Sequence, residues 1–255
     1  MNLREAWEAQ AEAWAAWART PDHDHFFWRY NLPRFLEIVP PAGVLTIDIG
    51  CGEGRVGRAL TARGHHVVGI DGSPTLAGLA ATHDEPQATV VADAAALPFA
   101  RDCADQAVAF MSLQDIDDLE RAVREAARVL QPGGTLSIAV LHPLSTAGEF
   151  IDETLESSFL ITDPYPVPRR FSEAVQRDGL TMEFHSIHRP LAAYAAALHD
   201  AGFLIEVLRE SVPDDAYVRE HPRLQRQTRI PWYLHIRAVI PEQSRSSAEP
   251  PIGAT

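Results

Sequence analysis

Three carboxylates and three glycines have the types and spacing that could bind a nucleoside. Asp48, Asp71 and Asp93 each close an apolar, strand-like run of the chain. The first run leads into a loop with alternating glycines, Gly50, Gly52 and Gly54. Glycines let the backbone turn tightly and come close to a ligand, and they leave free amide groups at the start of the following helix. The spacing therefore predicts a nucleoside site at this loop.

The charge of Asp48 bears on which nucleoside fits. Residues 52–57 also satisfy the G-x-G-x-x-G dinucleotide pattern, and Asp71 follows where a ribose-binding acid would stand. A dinucleotide would bring its pyrophosphate close to the Asp48 carboxylate, where like charges repel. S-adenosylmethionine has no phosphate, and it carries an ammonium and a sulfonium that an acid would favour. The sequence thus favours S-adenosylmethionine, and an NAD-dependent oxidoreductase stays an alternative that requires phosphate contact at the loop.

The other two acids complete this interpretation. The Asp71 carboxylate could accept hydrogen bonds from two ribose hydroxyls, which are stronger when the acceptor is charged. Asp93 opens a short apolar turn and could accept from an adenine amino group, with Leu76 packed against the ring. We find the third strand-ending acid the most specific part of the pattern, because two such endings occur in many nucleotide-binding folds.

The order of these motifs resembles a known family. Asp-Ile-Gly-Cys-Gly-Glu-Gly, Gly-Ile-Asp-Gly-Ser, Ala-Asp-Ala-Ala-Ala-Leu-Pro-Phe and Ala-Ala-Arg-Val-Leu-Gln-Pro-Gly-Gly-Thr-Leu follow one another within residues 44–141. This order is similar to that of class I S-adenosylmethionine-dependent methyltransferases. Beyond residue 141 the chain more loosely resembles small-molecule methyltransferases of the actinobacterial type. Leu76 departs from the pattern, since relatives often carry methionine there, but the apolar contact is kept.

The resemblance implies a role for each matching position. The loop with its preceding acid would hold the methionine part of the cofactor, the second motif the ribose, the third the adenine, and the end of the fourth strand the methionyl side. The cofactor-binding residues expected in this way are Asp48, Gly50, Cys51, Gly52, Gly54, Asp71, Gly72, Leu76, Asp93, Ala94, Met111 and Ser112.

Length, composition and charge agree with a small-molecule enzyme. A chain of 255 residues with 46% hydrophobic residues is long enough for one buried α/β domain and a lid. The net charge of −13 argues against a nucleic-acid substrate, which requires clustered Lys and Arg. Two cysteines form no disulfide framework, and no stretch is apolar enough to span a membrane or to act as a signal peptide. These features predict a cytoplasmic protein without membrane partners, and they leave the oligomeric state open.

The alternation of apolar runs and helical patterns predicts the fold. We expect a Rossmann-like, seven-stranded, mostly parallel sheet with helices on both faces and an antiparallel edge strand. The predicted parts of a single methyltransferase domain over residues 1–241 are an N-terminal helical cap (1–40), the cofactor-binding core (44–141), a substrate-lid insertion after the fifth strand (142–189) and a closing helix with the last two strands (190–241). Residues 242–255, rich in Ser and Pro, are predicted to be disordered.

The segments outside the core supply the candidates for covering the site. Trp7, Trp14 and Trp17 share one face of a helix predicted over 2–19, and they either form a lid or pack on the domain. Arg29 could pair with the methionine carboxylate or with a surface acid, and Tyr30 could hydrogen-bond to that carboxylate or stack. Two aromatic residues, Trp28 and Phe171, are expected to contact the acceptor.

Histidines are the candidates for general-base catalysis, because their reference pKa is ~6.5. His142 follows the fifth strand and could act on the acceptor or cap the turn before Pro143. Of His185 and His188, only one can face a pocket if their strand is regular, and we favour His188. Asp115 is expected to cap the following helix. No metal site is predicted, because His23-Asp24-His25 lacks a third ligand at a suitable spacing.

These expectations together predict an enzyme that transfers a methyl group from S-adenosylmethionine to an oxygen or nitrogen of a small molecule. Methyl transfer to a positioned nucleophile requires mainly proximity, with histidine as optional help. The alternatives are a catalytically silent S-adenosylmethionine-binding partner and, from the dinucleotide pattern, the oxidoreductase.

Overall fold

The N-terminal segment is helical and covers one edge of the molecule. The structure is a computed structural model that describes residues 1–20, 23–152 and 154–242. Helix α1 (Leu3–Arg19) begins at a capping box in which Asn2 and Glu5 satisfy each other's backbone amides. A π-helical turn (Phe27–Asn31) continues into helix α2 (Leu32–Leu36). The predicted disordered tail falls on 243–255, outside the described residues, apart from residue 242.

The core alternates strands and helices as predicted. In chain order it contains β1 (Thr46–Ile49), α3 (Arg55–Thr61), β2 (Val67–Asp71), α4 (Pro74–Ala81), β3 (Ala88–Val91), β4 (Ala104–Phe110), a 3-10 turn (Leu113–Asp115), α5 (Leu119–Val129) and β5 (Leu130–Leu141). Helix α5 begins three residues after the position expected from a cap at Asp115, because Asp118 accepts from the Arg121 amide and starts the helix there.

The insertion after β5 is built from two hairpins. It contains a 3-10 turn (Ser145–Ala147), β6 (Gly148–Phe150), β7 (Phe159–Ile161), β8 (Arg169–Arg177) and β9 (Leu180–His188). The chain then closes with α6 (Leu191–Asp200), β10 (Leu204–Ser211), α7 (Asp215–Glu220), a 3-10 helix (Pro222–Thr228) and β11 (Tyr233–Val239).

The seven-stranded sheet has the order β10-β11-β5-β4-β1-β2-β3. Strand β11 pairs antiparallel with both β5 and β10, and the pairs among β1 to β5 are parallel. The predicted mostly parallel Rossmann-like sheet is confirmed, with the antiparallel strand one place in from the edge. The core lies on both faces, where apolar strand residues such as Ile47, Ile138 and Val108 are at most 1% exposed.

Helix α1 packs on the hairpin formed by β8 and β9. The three tryptophans meet Phe184 of β9 edge to face, with ring centroids 5.9 to 6.4 Å apart. The indole of Trp7 also donates to the His185 carbonyl at 3.0 Å. The predicted tryptophan face therefore exists, and it joins the N-terminal cap to the insertion. No helix within the described ranges has the length and apolar character to cross a bilayer.

Candidate active site at the carboxyl edge of the sheet

A cavity of ≈ 560 Å³ opens at the carboxyl ends of the parallel strands. Its volume lies within the range of small-molecule sites, ~300–1,000 Å³. One side is formed by the glycine loop and the ends of β2, β3 and β4, and the other by α1, the 23–31 segment and the hairpin β8–β9. The cavity thus joins the predicted nucleoside site to the predicted covers.

The glycine loop forms a cradle that side chains would fill. Gly50, Gly52 and Gly54 have φ of +73°, +57° and +92°, a region that side chains disfavour. A Cβ atom on Gly50 would lie 2.4 Å from the Cβ of Ser112. The Ser112 hydroxyl donates to the Ile49 carbonyl at 2.6 Å, which holds the end of β4 against the loop. The loop backbone is therefore left open to a ligand.

Asp71 shapes the loop and faces the cavity. Its two carboxylate oxygens accept from the backbone amides of Gly52 and Ser73, both at 2.8 Å. Burial raises the pKa of Asp71, while these two hydrogen bonds lower it. Each oxygen keeps a second lone pair, so the carboxylate can still accept from a ligand's hydroxyl groups.

Most of the remaining predicted core positions line the cavity. Asp93 lines the cavity, and its Oδ1 accepts from the Ala95 amide at 2.8 Å. The structure also brings these predicted residues to the lining: Gly50, Cys51, Gly52, Asp71, Gly72, Leu76, Ala94, Met111, Ser112 and, from the insertion, Phe171.

Two predicted cofactor residues do not reach the cavity. Asp48 is 1% exposed and outside the lining, because it belongs to β1 and both faces of the sheet are covered there. Gly54 is also outside the lining, since a Cβ atom there would point at Arg58, Gln87 and Ala80. Burial, and then the charge of Asp71, raise the pKa of Asp48 to about 7. A direct contact between Asp48 and a ligand is therefore not supported.

We expect Asp48→Asn to stabilise the free protein, by more at pH 8 than at pH 5. The folded state favours the protonated acid, so stability is lost as pH rises from the ordinary value of 3.8 through about 7. Asparagine removes this penalty, worth at most about 4 kcal/mol. Urea unfolding at both pH values measures it, with the exposed Asp84→Asn as control. A variant that is less stable than wild type at pH 8 would contradict the prediction.

The expected closing residues of the 28–30 segment point away from the cavity. Trp28 is 50% exposed, and Arg29 pairs with Glu220 at 2.9 Å, in agreement with the surface-acid alternative. Tyr30 is fully buried and stacks on Tyr217, with centroids 5.6 Å apart. The π-helical turn is the physical reason, because it directs only Phe27 and Asn31 of its five residues into the lining.

The two candidate bases also lie outside the lining. Leu141 faces the cavity and His142, the next residue, lies off it, with Nε2 2.8 Å from Glu210 and Nδ1 accepting from the Leu144 amide. His142 thus caps the turn, and burial lowers its pKa. His188 shares a face of β9 with Phe184 but lies beyond the cavity.

Both ring nitrogens of His188 have hydrogen-bond partners. Nδ1 lies 2.6 Å from the Thr146 hydroxyl and Nε2 lies 2.9 Å from the Tyr165 carbonyl oxygen. His185 is likewise absent from the lining, so neither histidine of β9 meets a ligand there. We therefore propose no catalytic role for His142 or His188.

Sequence reasoning missed a half-buried acid in the cavity wall. Asp115 lies on the 3-10 turn after β4 and lines the cavity. The helix-capping role that was expected of Asp115 belongs to Asp118. Ser186 of β9 donates to Asp115 at 2.6 Å. The signal was available in part, because Asp115 follows a parallel strand, as Asp93 does, but its partner Ser186 is 71 residues away in the chain.

Aromatic side chains form a large part of the cavity wall, here called the aromatic half, and Trp14 brings it close to the loop, with its Nε1 3.4 Å from the position of a Cβ atom on Gly52. They come from α1, the 26–27 segment, β4, the hairpin and the start of β11: Trp7, Trp14, Trp17, Phe26, Phe27, Phe110, Phe171, Phe184, Trp232 and Tyr233. Arg55 lies among them, paired with Asp24 at 2.7 Å. Within the described residues, no group of His, Cys, Asp or Glu has a metal-binding arrangement.

Comparisons with known proteins point to one chemistry. Residues 47–138 match the family model described as a methyltransferase domain. The chain is 29% identical over 160 residues to a malonyl-[acyl-carrier protein] O-methyltransferase of Pectobacterium atrosepticum, covering 60% of this chain and 63% of that protein. It is 27% identical to a 2-phytyl-1,4-naphtoquinone methyltransferase of Thermosynechococcus vestitus, over 70% of this chain and 80% of the relative.

The fold has solved counterparts with the same chemistry in their names. An S-adenosylmethionine-dependent methyltransferase from Mesorhizobium loti superposes with a TM-score of 0.66 and 26% identity, over 81% of this chain and 96% of that one. The glycine cradle, with its free backbone and two strand-ending acids in the lining, fits the phosphate-free cofactor of that family. Residues 47–138 therefore form a methyltransferase domain, and the sheet and cofactor loop of the chain are those of class I S-adenosylmethionine-dependent methyltransferases.

Proposed function

We propose that this enzyme methylates an oxygen or nitrogen of a small, largely apolar acceptor bound in the aromatic half of the cavity. The observation that carries the proposal is the continuity of one cavity from the cofactor acids to the aromatic wall. A single enclosed space of this kind holds donor and acceptor side by side. S-adenosylmethionine supplies an electrophilic methyl group, and the chain's residues position the nucleophile.

The residues divide into three tasks. The loop and Asp71 hold the cofactor, with Asp93 at the adenine end. The aromatic wall excludes water and orients the acceptor, and oriented proximity of that kind is worth ~7–11 kcal/mol. Apolar walls with a few polar groups are the usual construction of small-molecule sites.

The relatives and the charge support a small acceptor. The relative from Thermosynechococcus vestitus is named for a naphthoquinone, which is consistent with an aromatic wall. The chain carries a net charge of −13, which disfavours a nucleic-acid acceptor. We further propose that residues 1–241 act as one domain in the cytoplasm, with α1 and the hairpin β8–β9 as covers.

A catalytically silent binding protein remains the second candidate. A filled cavity would favour it, whereas the cavity here extends ≈ 560 Å³ and reaches well past the cofactor residues. An NAD-dependent oxidoreductase is less favoured, because the family model and the solved structure that match this chain are both of methyltransferases.

Calorimetry and methyl transfer test the function together. We expect S-adenosylhomocysteine to bind to the purified protein and NAD not to bind, and labelled methyl groups to pass from S-adenosylmethionine to small apolar hydroxyl or amino compounds. Preferential binding of NAD would establish the oxidoreductase alternative. Cofactor binding without transfer to any acceptor of a broad panel would establish the silent one.

The covers should respond to ligands. Residues 3–19 and 169–188 meet mainly through the tryptophan and Phe184 contacts, so we expect their amides to exchange hydrogen quickly in the free protein and slowly in the ternary complex. Hydrogen-exchange mass spectrometry measures this, with the central strand β4 as an internal control that stays protected. Full protection of both segments in the free protein would make them fixed scaffold.

A further inference from the structure

Asp115 presents an unused carboxylate oxygen to the cavity. Its Oδ1 accepts the Ser186 hydroxyl at 2.6 Å, and among the described residues nothing hydrogen-bonds to Oδ2. The residue lines the same cavity as Met111 and Ser112, at the end of β4. An acceptor in the aromatic half can therefore meet a carboxylate that has one oxygen fixed and one free.

The turn that carries Asp115 is held in place by Arg189. The Arg189 guanidinium is buried and donates at 2.5 to 3.4 Å to four backbone carbonyls of this turn and the residues after it, those of Leu113, Gln114, Ile116 and Asp117. Because β9 supplies Ser186 and the first residue after that strand is Arg189, one segment fixes both the backbone and the side chain of Asp115. A preorganised polar group of this kind is typical of a reacting position.

Three aromatic rings of the lining already contact a guanidinium group. The Arg55 guanidinium lies 3.6 Å from the Phe27 ring centroid and 4.6 Å from that of Trp14, and Arg177 lies 5.5 Å from Trp17. These three rings therefore offer a cationic acceptor no free face for a cation–π contact. An anionic acceptor would instead meet the Asp115 carboxylate.

We propose that Asp115 is the catalytic base for a neutral, ring-bearing acceptor with an O–H or N–H group, an inference that rests on the methyl-transfer function proposed above. The acceptor's hydroxyl or amino hydrogen donates to Oδ2. The acceptor lone pair forms the new bond to the methyl carbon, the C–S bond breaks with its electron pair passing to sulfur, and the acceptor's proton passes to Asp115. The proton and the electron pair are both accounted for.

The surroundings of Asp115 suit this role. Burial raises the pKa of Asp115 well above its ordinary value, and Asp71 at the end of β2 adds to the increase. The Ser186 hydrogen bond and the charge of Arg189 act in the opposite direction. A base whose pKa lies nearer to neutrality takes up a proton more effectively than an ordinary carboxylate. Turnover should therefore fall as pH decreases through the raised pKa of the carboxyl.

Binding of three naphthalene compounds tests the acceptor class without turnover. We would titrate the S-adenosylhomocysteine complex with 1-naphthol, 1-naphthoate and 1-naphthylmethylamine, following the fluorescence of the cavity tryptophans. We expect 1-naphthol to bind at least tenfold more tightly than either charged compound, and Asp115→Asn to remove most of that preference. A charged compound that binds as tightly, or the absence of binding by all three, would overturn the acceptor class.

Turnover with 1-naphthol tests the base. Asp115→Asn should lower the rate by ~10²- to 10⁴-fold and abolish its dependence on acid pH, with S-adenosylhomocysteine affinity within about twofold of wild type. The matched control is Glu120→Gln, an exposed carboxylate outside the lining, which should leave the rate unchanged. An Asp115→Asn enzyme that keeps the wild-type rate and pH profile would overturn the role of Asp115.

A wild-type enzyme that binds 1-naphthol without methylating it would likewise overturn the role of Asp115. Failure of the methyl-transfer function itself would look different, because the wild type would then either bind no S-adenosylhomocysteine or transfer methyl groups to no compound of the broad acceptor panel. The binding titration and the acceptor panel together therefore separate an error about Asp115 from an error about the enzyme.

Discussion

Gly50→Ala is expected to abolish measurable cofactor binding and to destabilise the fold. The new Cβ would lie 2.4 Å from the Ser112 Cβ, and the residue would keep a φ of +73°. The positive φ costs about 1–2 kcal/mol, and overpacking adds about 1–3 kcal/mol. Because the loop must shift to relieve the contact, we expect the dissociation constant for S-adenosylhomocysteine to rise at least ~100-fold, as misplacements near 1 Å can cost that much.

A substitution at a second glycine separates the cost of backbone strain from the cost of side-chain crowding. Gly202 follows α6 with a φ of +87°, and a Cβ atom added there would meet no atom of the described residues within 4 Å. Gly202→Ala should therefore lose only the ~1–2 kcal/mol of backbone strain and bind the cofactor normally. Urea unfolding and calorimetry on both variants make the comparison. Equal losses of stability in the two variants, with cofactor binding intact in Gly50→Ala, would show that the loop does not need to approach Ser112.

Asp71→Ala is expected to weaken S-adenosylhomocysteine binding by ~10- to 100-fold. The substitution leaves the ribose hydroxyls without their acceptor, at a cost of ~1–3 kcal/mol for an unsatisfied buried group. It also releases the amides of Gly52 and Ser73, which the carboxylate holds at 2.8 Å. Calorimetry measures the affinity, and the exposed Asp84→Ala is the control.

A conservative variant distinguishes the two roles of Asp71, which are to accept from the ribose hydroxyls and to support the loop. Asp71→Asn keeps the volume and one acceptor oxygen, so we expect a loss of affinity between that of wild type and that of Asp71→Ala. Unchanged affinity in both variants, with a lower melting temperature, would restrict Asp71 to supporting the loop. The melting temperature must therefore be measured beside the affinity.

The core can be predicted from the sequence because the residues that determine it lie close together in the chain. The glycine loop, the strand-ending acids at Asp71 and Asp93, and the alternation of strand and helix all depend on residues close together in the chain. Each of these features recurs in the structure with boundaries shifted by at most a few residues. Some boundaries depend on contacts beyond the local pattern: Asp118 caps the start of α5, and the pairing of Leu130 with Ala104 sets the start of β5.

The catalytic side of the site cannot be predicted in the same way. The place of His142 after the fifth strand favours it as a base, but the alternation of side chains along β5 turns Leu141 to the cavity and His142 to Glu210. The charge of Asp48 favours it as a cofactor contact, but the covered sheet buries it. In both cases the sequence shows the residue type and its place, and it leaves open the direction of the side chain.

The sequence by itself determined the sheet and the cofactor loop, because turn geometry and strand-ending acids are encoded within short segments, and its resemblance to a known family indicated methyl transfer. Only the tertiary structure decided what faces the acceptor. Ser186 reaches Asp115 across 71 residues of chain, and Phe184 meets the tryptophans of α1 across more than that. Such contacts depend on how the insertion packs against the N-terminal helix, which buries apolar surface between segments that no local pattern relates.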